Sequence, residues 1–217
     1  MNRIRNIRTY VFLVCAFLPT GCWAYPTSLN CIPTAETLGS GELLLEFTNS
    51  GYPRLFDTES ISGVCLQFGL GNRFEFGVDR YEGDDSQETY LNAKARLFEE
   101  TSKRPSFSFG LMDLSSGGSP TYYGVASKAI GRIKAHLGFI RGSCAKGVMC
   151  GFEMDVTDNT WFGIDFLPGK ENYLRVGISR TLSPDTSILA TFGIPNTRGS
   201  AQAELGITVS TKMTLIN

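Results

Sequence analysis

Ionisable residues recur at every second position of alternating segments, and they carry most of the chemistry this chain could do. They are Glu75, Asp79, Lys94, Arg96, Arg132, Lys134, His136, Glu153, Asp155, Asp165, Arg175 and Glu204. Both signs occur on neighbouring segments. Glu75 and Asp79 can therefore pair with Lys94 and Arg96, and Arg132 and Lys134 with Glu153 and Asp155, across hairpins. Lining a water-filled pore, such charges select solutes by sign. Packed into a narrow barrel, they satisfy one another and fill it, because buried charge must be paired. Both readings stand at this level.

His136 is the sole histidine of the chain. A catalytic base in a barrel lipid hydrolase needs a serine to activate, and Gly138 occupies the place two residues on where such a serine would sit. Glu153 is placed to orient His136 from the next strand, but no serine is evident from spacing, so a hydrogen-bonded or ion-paired histidine is the preferred reading. No catalytic residue, cofactor or metal is assigned. A zinc site is disfavoured by the single histidine and the lack of a CxxC spacing. Gly69-Leu-Gly71 is a turn with no helix after it, not a dinucleotide loop. The acidic loop Glu82-Gly-Asp-Asp85 reads as solvated rather than as a Ca²⁺ site.

The segments that must position these residues are strands. Phe74, Phe76 and Val78 alternate with Glu75, Gly77 and Asp79, and Leu91, Ala93, Ala95 and Leu97 with Asn92, Lys94 and Arg96. The same period of two runs through Leu43–Phe47, Val64–Leu70, Phe107–Leu111, Ile133–Phe139, Phe152–Val156, Phe162–Phe166, Leu174–Ile178 and Ala203–Val209. It is weaker in Tyr122–Ala129 and Ile188–Ile194. About twelve strands result, many near the length a tilted membrane strand requires. Tight turns (Gly71-Asn72, Ile130-Gly131, Asp158-Asn159, Ser183–Asp185) alternate with longer polar loops, except at Glu99–Pro105. Short turns on one side and long loops on the other predict an all-β, closed, up-and-down transmembrane barrel with its apolar face outward. A soluble periplasmic binding barrel is the fold-level alternative. Tyr52, Tyr81, Tyr90, Tyr122, Tyr123, Trp161 and Tyr173 fall near strand ends, where aromatic girdles form. The final stretch Thr211–Asn217 has no aromatic residue, and Leu215 and Ile216 take that place.

The chain opens with an export signal. Arg3, Arg5 and Arg8 precede the apolar run Tyr10–Leu18, and Cys22-Trp23-Ala24 puts small residues at −3 and −1 of a cleavage site. The run is too short to span a bilayer as a helix. Lipoprotein processing at Cys22 is the less favoured alternative, because Pro19 stands where a lipobox has Leu. Cleavage after residue 24 leaves 193 of 217 residues and, by removing three arginines and no acid, moves the formal charge from −1 to −4. Residues 25–40 then form a periplasmic lead and residues 41–217 the barrel. In an oxidising compartment Cys31, Cys65, Cys144 and Cys150 are disulfide candidates. Cys144–Cys150 would pin a loop and Cys31–Cys65 would complement it, although spacing alone leaves all three pairings open.

The stretch Ile32-Pro-Thr-Ala-Glu-Thr-Leu-Gly-Ser-Gly-Glu-Leu43 resembles the opening of bacterial YjbH-like outer-membrane barrels. Trp161–Tyr173 is similar to a strand-and-loop segment of related porin-like barrels. The resemblance implies an outer-membrane location and an association with exopolysaccharide export. With 20 Lys+Arg against 21 Asp+Glu, the basic footprint of a nucleic-acid binder is missing. The partners expected are outer-membrane lipid, a small polar solute or polysaccharide, and an envelope-assembly protein. The leading expectation is a non-enzymatic channel for small polar or saccharide-like solutes. A plugged barrel with a structural or assembly role comes second, and a lipid hydrolase is disfavoured.

Overall fold

The computed structural model describes residues 27–51, 54–56, 60–83, 86–115, 119–142 and 145–212. The export signal, Cys22 and Cys144 lie outside them. Twelve antiparallel strands close into one barrel: β1 Glu42–Gly51, β2 Ile61–Leu70, β3 Phe74–Gly83, β4 Ser86–Phe98, β5 Ser106–Leu114 and β6 Thr121–Ile130 form one half. β7 Ile133–Arg141, β8 Lys146–Thr157, β9 Thr160–Phe166, β10 Tyr173–Ser183, β11 Thr186–Pro195 and β12 Gln202–Lys212 form the other. Each strand pairs with its sequence neighbour, and β1 zips onto β12 from Glu42↔Lys212 to Gly51↔Ala203. Closure leaves no unpaired edge, the condition for a sheet in lipid.

Side-chain alternation sets the two surfaces. Phe74, Phe76, Val78, Leu91, Leu97, Phe109, Leu137, Phe139, Val148, Phe192 and Ile207 are exposed on the outer wall, while Glu75, Asp79, Lys94 and His136 are buried inside. This apolar-out, polar-in order matches a bilayer-facing barrel and not a water-facing one. The tight turns meet their backbone demands. In the β2–β3 turn both Gly71 (φ 61) and Asn72 (φ 56) are left-handed, as the short hairpin twist requires.

One expectation fails, and it decides what the lumen is. Residues 27–38 of the segment read as a periplasmic lead sit inside the barrel. Residues 27–34 make a small hairpin, with Leu29 N–H donating to Ile32 O (2.9 Å) and Thr34 N–H to Thr27 O (3.1 Å). This finger carries Asn30 and Cys31 at its tip, returns through Ala35 and Leu38, and turns at Gly39–Gly41 into β1. Ile32 and Ala35 are fully buried, packed with Leu29 and Cys31 in a cluster with Met112, Tyr123, Val125, Ile140, Met149 and Leu167. The finger enters because the inner wall of β5–β8 is locally apolar. Covering each such side chain contributes roughly 1.5–3 kcal/mol.

Candidate functional site

The lumen contains two features: the docked finger and a cavity beside it. Carboxylates hold the finger at both ends. At the tip, Asp165 of β9 accepts from the N–H groups of Asn30 (2.8 Å), Cys31 (2.8 Å) and Ile32 (3.2 Å). At the base, Glu75 of β3 accepts from the N–H groups of Thr27 (2.5 Å) and Leu38 (2.9 Å) and from the Thr27 hydroxyl. Lys94 of β4, itself buried, lies 3.6 Å from Glu75 and donates to Thr27 O at 3.0 Å. Lys134 pairs with Glu36 at 2.5 Å, and Ser108 donates to Ala35 O at 2.6 Å.

This redistributes the expected charge pairs. Glu75–Lys94 forms as expected. Asp79 is instead hydrogen-bonded by Gln67 (3.1 Å) and Asn92 (3.0 Å). Arg96 turns to Glu99 and to the Asn72 carbonyl, and Lys134 turns to the finger. Arg132 and Asp155 are not in the lumen: both are exposed at the turn end, where Arg132 donates to the Asp155 carbonyl. They sit too close to the ends of β7 and β8 to be enclosed. Of the aromatic girdle, Tyr122 is exposed on the outer wall. Tyr81 and Tyr123 are buried inward, and Trp161 and Tyr173 line the internal cavity. Tyr90 lies with its ring 6.5 Å from that of Tyr81. Tyr52 is outside the described residues.

The Cys31–Cys65 disulfide does not form. The Cys31 thiol is on Asp165 (3.3 Å), whereas Cys65 on β2 sits beside the Tyr81 hydroxyl (3.4 Å), on a strand far around the barrel from β9. Cys150 is also a free thiol, exposed on the outer face of β8.

A serine that spacing did not reveal stands against His136. Ser127 on β6 is the register partner of His136 on β7, with Oγ 2.8 Å from Nδ1. His136 Nε2 lies 3.2 Å from Glu153 Oε1, and Glu153 is held by the Trp161 indole N–H at 2.5 Å. The order Ser–His–Glu is that of a nucleophilic relay. Here, however, Ser127 is fully buried under the finger and its oxygen accepts the Ala35 N–H at 3.0 Å. The relay orients an acceptor for the finger.

The second feature is a cavity of about 800 Å³ between the finger and β1, β2 and β10–β12. Its lining runs the length of the strands, from Tyr173 and Gln202 at the loop end, through Thr48, Glu46 and Gln67, to Ser187 and Thr208 near the turn end. Arg175 crosses part of it, with Nη1 3.1 Å from Glu204 and 3.3 Å from Thr191 Oγ1, and with Nη2 on Gln202. The geometry is that of a cavity of mixed polar and apolar lining alongside an inserted segment.

No family model matches this chain, and no curated protein matches it in sequence. In three dimensions it is similar to solved porins. For the KdgM porin the TM-score is 0.60 at 12% identity, covering 77% of this chain and 99% of that one. For the KdgM porin in complex with disordered oligogalacturonate it is 0.57 at 11% identity, covering 79% and 99%. For the NanC porin it is 0.51 at 11% identity, covering 79% and 100%. The shared feature is the closed antiparallel barrel. The YjbH-like family is not among these similarities.

Proposed function

We propose that the protein is an outer-membrane channel for small polar or saccharide-like solutes, exported under the cleaved signal of residues 1–24. Solutes would pass beside the docked finger. The observation that carries this reading is the cavity, whose lining extends along the strands from one end to the other and includes Glu46, Gln67, Arg175, Gln202 and Glu204. The apolar outer wall supports residence in a bilayer. Likeness to porins, one of them solved with an oligogalacturonate, supports a channel for a saccharide-like solute. The finger narrows the lumen without occupying the side along β1, β2 and β10–β12. At twelve strands a barrel stands between the filled eight-stranded and the wide sixteen-stranded kinds.

A second reading has its own observation. Asp165 and Glu75 hold the finger at tip and base, which favours a plugged barrel with a structural role or a place in an envelope or exopolysaccharide assembly. Planar-bilayer recording of the mature protein separates the two. Discrete current steps are expected from the channel. A silent bilayer with insertion demonstrated by protease protection, and steps appearing only in Asp165→Asn, would establish the plug instead.

A further inference from the structure

The wall has a basic sector. From Leu114 to Phe152 the sequence holds no Asp or Glu, yet it carries Lys128, Arg132, Lys134, Arg141 and Lys146. Three of these cations are engaged. Lys128 pairs with Glu100, Lys134 with Glu36 of the finger, and Arg132 donates to the Asp155 carbonyl. Arg141 and Lys146 have no side-chain partner among the described residues.

Their placement is an independent observation. Arg141 ends β7, Lys146 opens β8, and the two are register partners. Both are exposed and share the outward parity of Leu137, Phe139 and Val148. Phe139↔Val148 is the last apolar pair of this wall, and Arg141↔Lys146 is the next outward pair, about 7 Å further towards the loop end. Tyr122, exposed on the same face, is the partner of Arg141 on β6. The two charges therefore stand just past the apolar band and beside an aromatic residue, at headgroup depth.

Like charges directly opposite one another destabilise a sheet. A phosphate removes that repulsion, because its oxygens accept from the guanidinium fork and from the ammonium together. A lipid fits the place better than a free anion, since its chains then lie on Leu137, Phe139 and Val148 directly below. We infer that Arg141 and Lys146 bind the phosphate of an anionic lipid in the leaflet at the loop end, with Tyr122 flanking the headgroup. The inference rests on the barrel lying in a bilayer, as proposed above, and not on its conducting.

The test is native mass spectrometry of the mature protein in detergent, titrated with diphosphoryl lipid A, with dephosphorylated lipid A and with inorganic phosphate. Wild type is expected to hold the diphosphoryl lipid, and Arg141→Gln/Lys146→Gln to hold it roughly thirtyfold more weakly. Arg141→Lys keeps the charge but loses the fork, so it should fall between them, and it reads the site even where the double variant fails to fold. Arg132→Gln, at the opposite end of the barrel, should match wild type. Equal affinity for the two lipids, or binding that neither Arg141 variant weakens, overturns the inference. Inorganic phosphate bound as tightly as the lipid overturns the choice of a lipid. Wild type that fails to float with phosphatidylcholine vesicles overturns the bilayer placement itself, whereas protein that floats but shows no preference overturns this inference alone.

Discussion

The carboxylate of Asp165 holds Cys31 twice, accepting its backbone N–H over 2.8 Å at Oδ2 and its thiol over 3.3 Å at Oδ1. The flanking N–H groups of Asn30 and Ile32 converge on the same Oδ2. Hydrogen bonds to a charged acceptor contribute about 1.5–3 kcal/mol each. An asparagine in its place loses the charge and points an amide donor at other donors. Asp165→Asn is therefore expected to weaken finger docking by ~3 kcal/mol. In a Cys65→Ser, Cys144→Ser, Cys150→Ser background, modification of Cys31 by a polar maleimide should accelerate on the order of a hundredfold. An unchanged rate would show that the tip is held by packing alone.

Gly177 of β10, the strand paired with β9, faces the same tip two residues from the register partner of Asp165. A Cβ on Gly177 would come 1.9 Å from Asn30 Oδ1, far inside contact distance. Gly177→Ala is expected to displace the finger tip at a cost of about 1–3 kcal/mol, the range for overpacking. Asn30→Ala removes the obstructing amide, so the double variant should recover most of that stability. Denaturant titration of the four proteins gives the coupling between the two sites directly. A double variant as unstable as Gly177→Ala alone would place the strain elsewhere.

The barrel was legible because its physics is local. Phe74–Asp79 alternates with period two, and one parity reaches lipid while the other is enclosed. The finger was not legible because Asn30-Cys31-Ile32-Pro33 is short, aperiodic and stabilised by distant partners. Its trace lay in the wall it covers. Tyr123 and Val125 put apolar side chains on the inward parity of β6, which is why alternation fades over Tyr122–Ala129. Met112, Ile140 and Met149 do the same on β5, β7 and β8. The finger takes Lys134 from its expected partners Glu153 and Asp155 through Glu36, and it supplies Asp165, for which the strands offered no evident partner, with three backbone N–H groups.

The long connection between β4 and β5 has its own fastening. Glu100 accepts from Lys128 Nζ and from Ala129 N–H, each at 3.1 Å, while Lys128 also donates to Thr101 O at 2.5 Å. The hydrogen bond from Lys128, followed by that from Ala129, holds the Glu100 carboxyl below the usual carboxylate range. A depressed folded value means that docking is fully stabilised above the unfolded pKa and loses that stabilisation as pH falls through the folded one. Hydrogen exchange at Thr101–Arg104 should therefore quicken on acidification. Glu100→Gln should exchange fast already at neutral pH and respond little to acid. Identical pH profiles for the two proteins would remove Glu100 as the fastening.

Ser127, His136 and Glu153 invite a catalytic reading that their surroundings oppose. With the ring proton on Nε2 towards Glu153, His136 Nδ1 accepts the Ser127 hydroxyl, and the lone pair left on Oγ receives the Ala35 N–H. A nucleophile must instead offer that lone pair to a carbonyl or phosphoryl centre within about 3–3.5 Å. The finger occupies that approach, and Ser127 is fully buried. Ser127→Ala is accordingly expected to leave the Ala35 N–H unpaired, at about 1–3 kcal/mol, and to loosen the finger. The signature is faster labelling of Cys31 together with phospholipid turnover indistinguishable between wild type and variant. Turnover by the wild type that Ser127→Ala abolishes, with Cys31 labelling unchanged, would reverse the assignment and make the three residues a hydrolytic site.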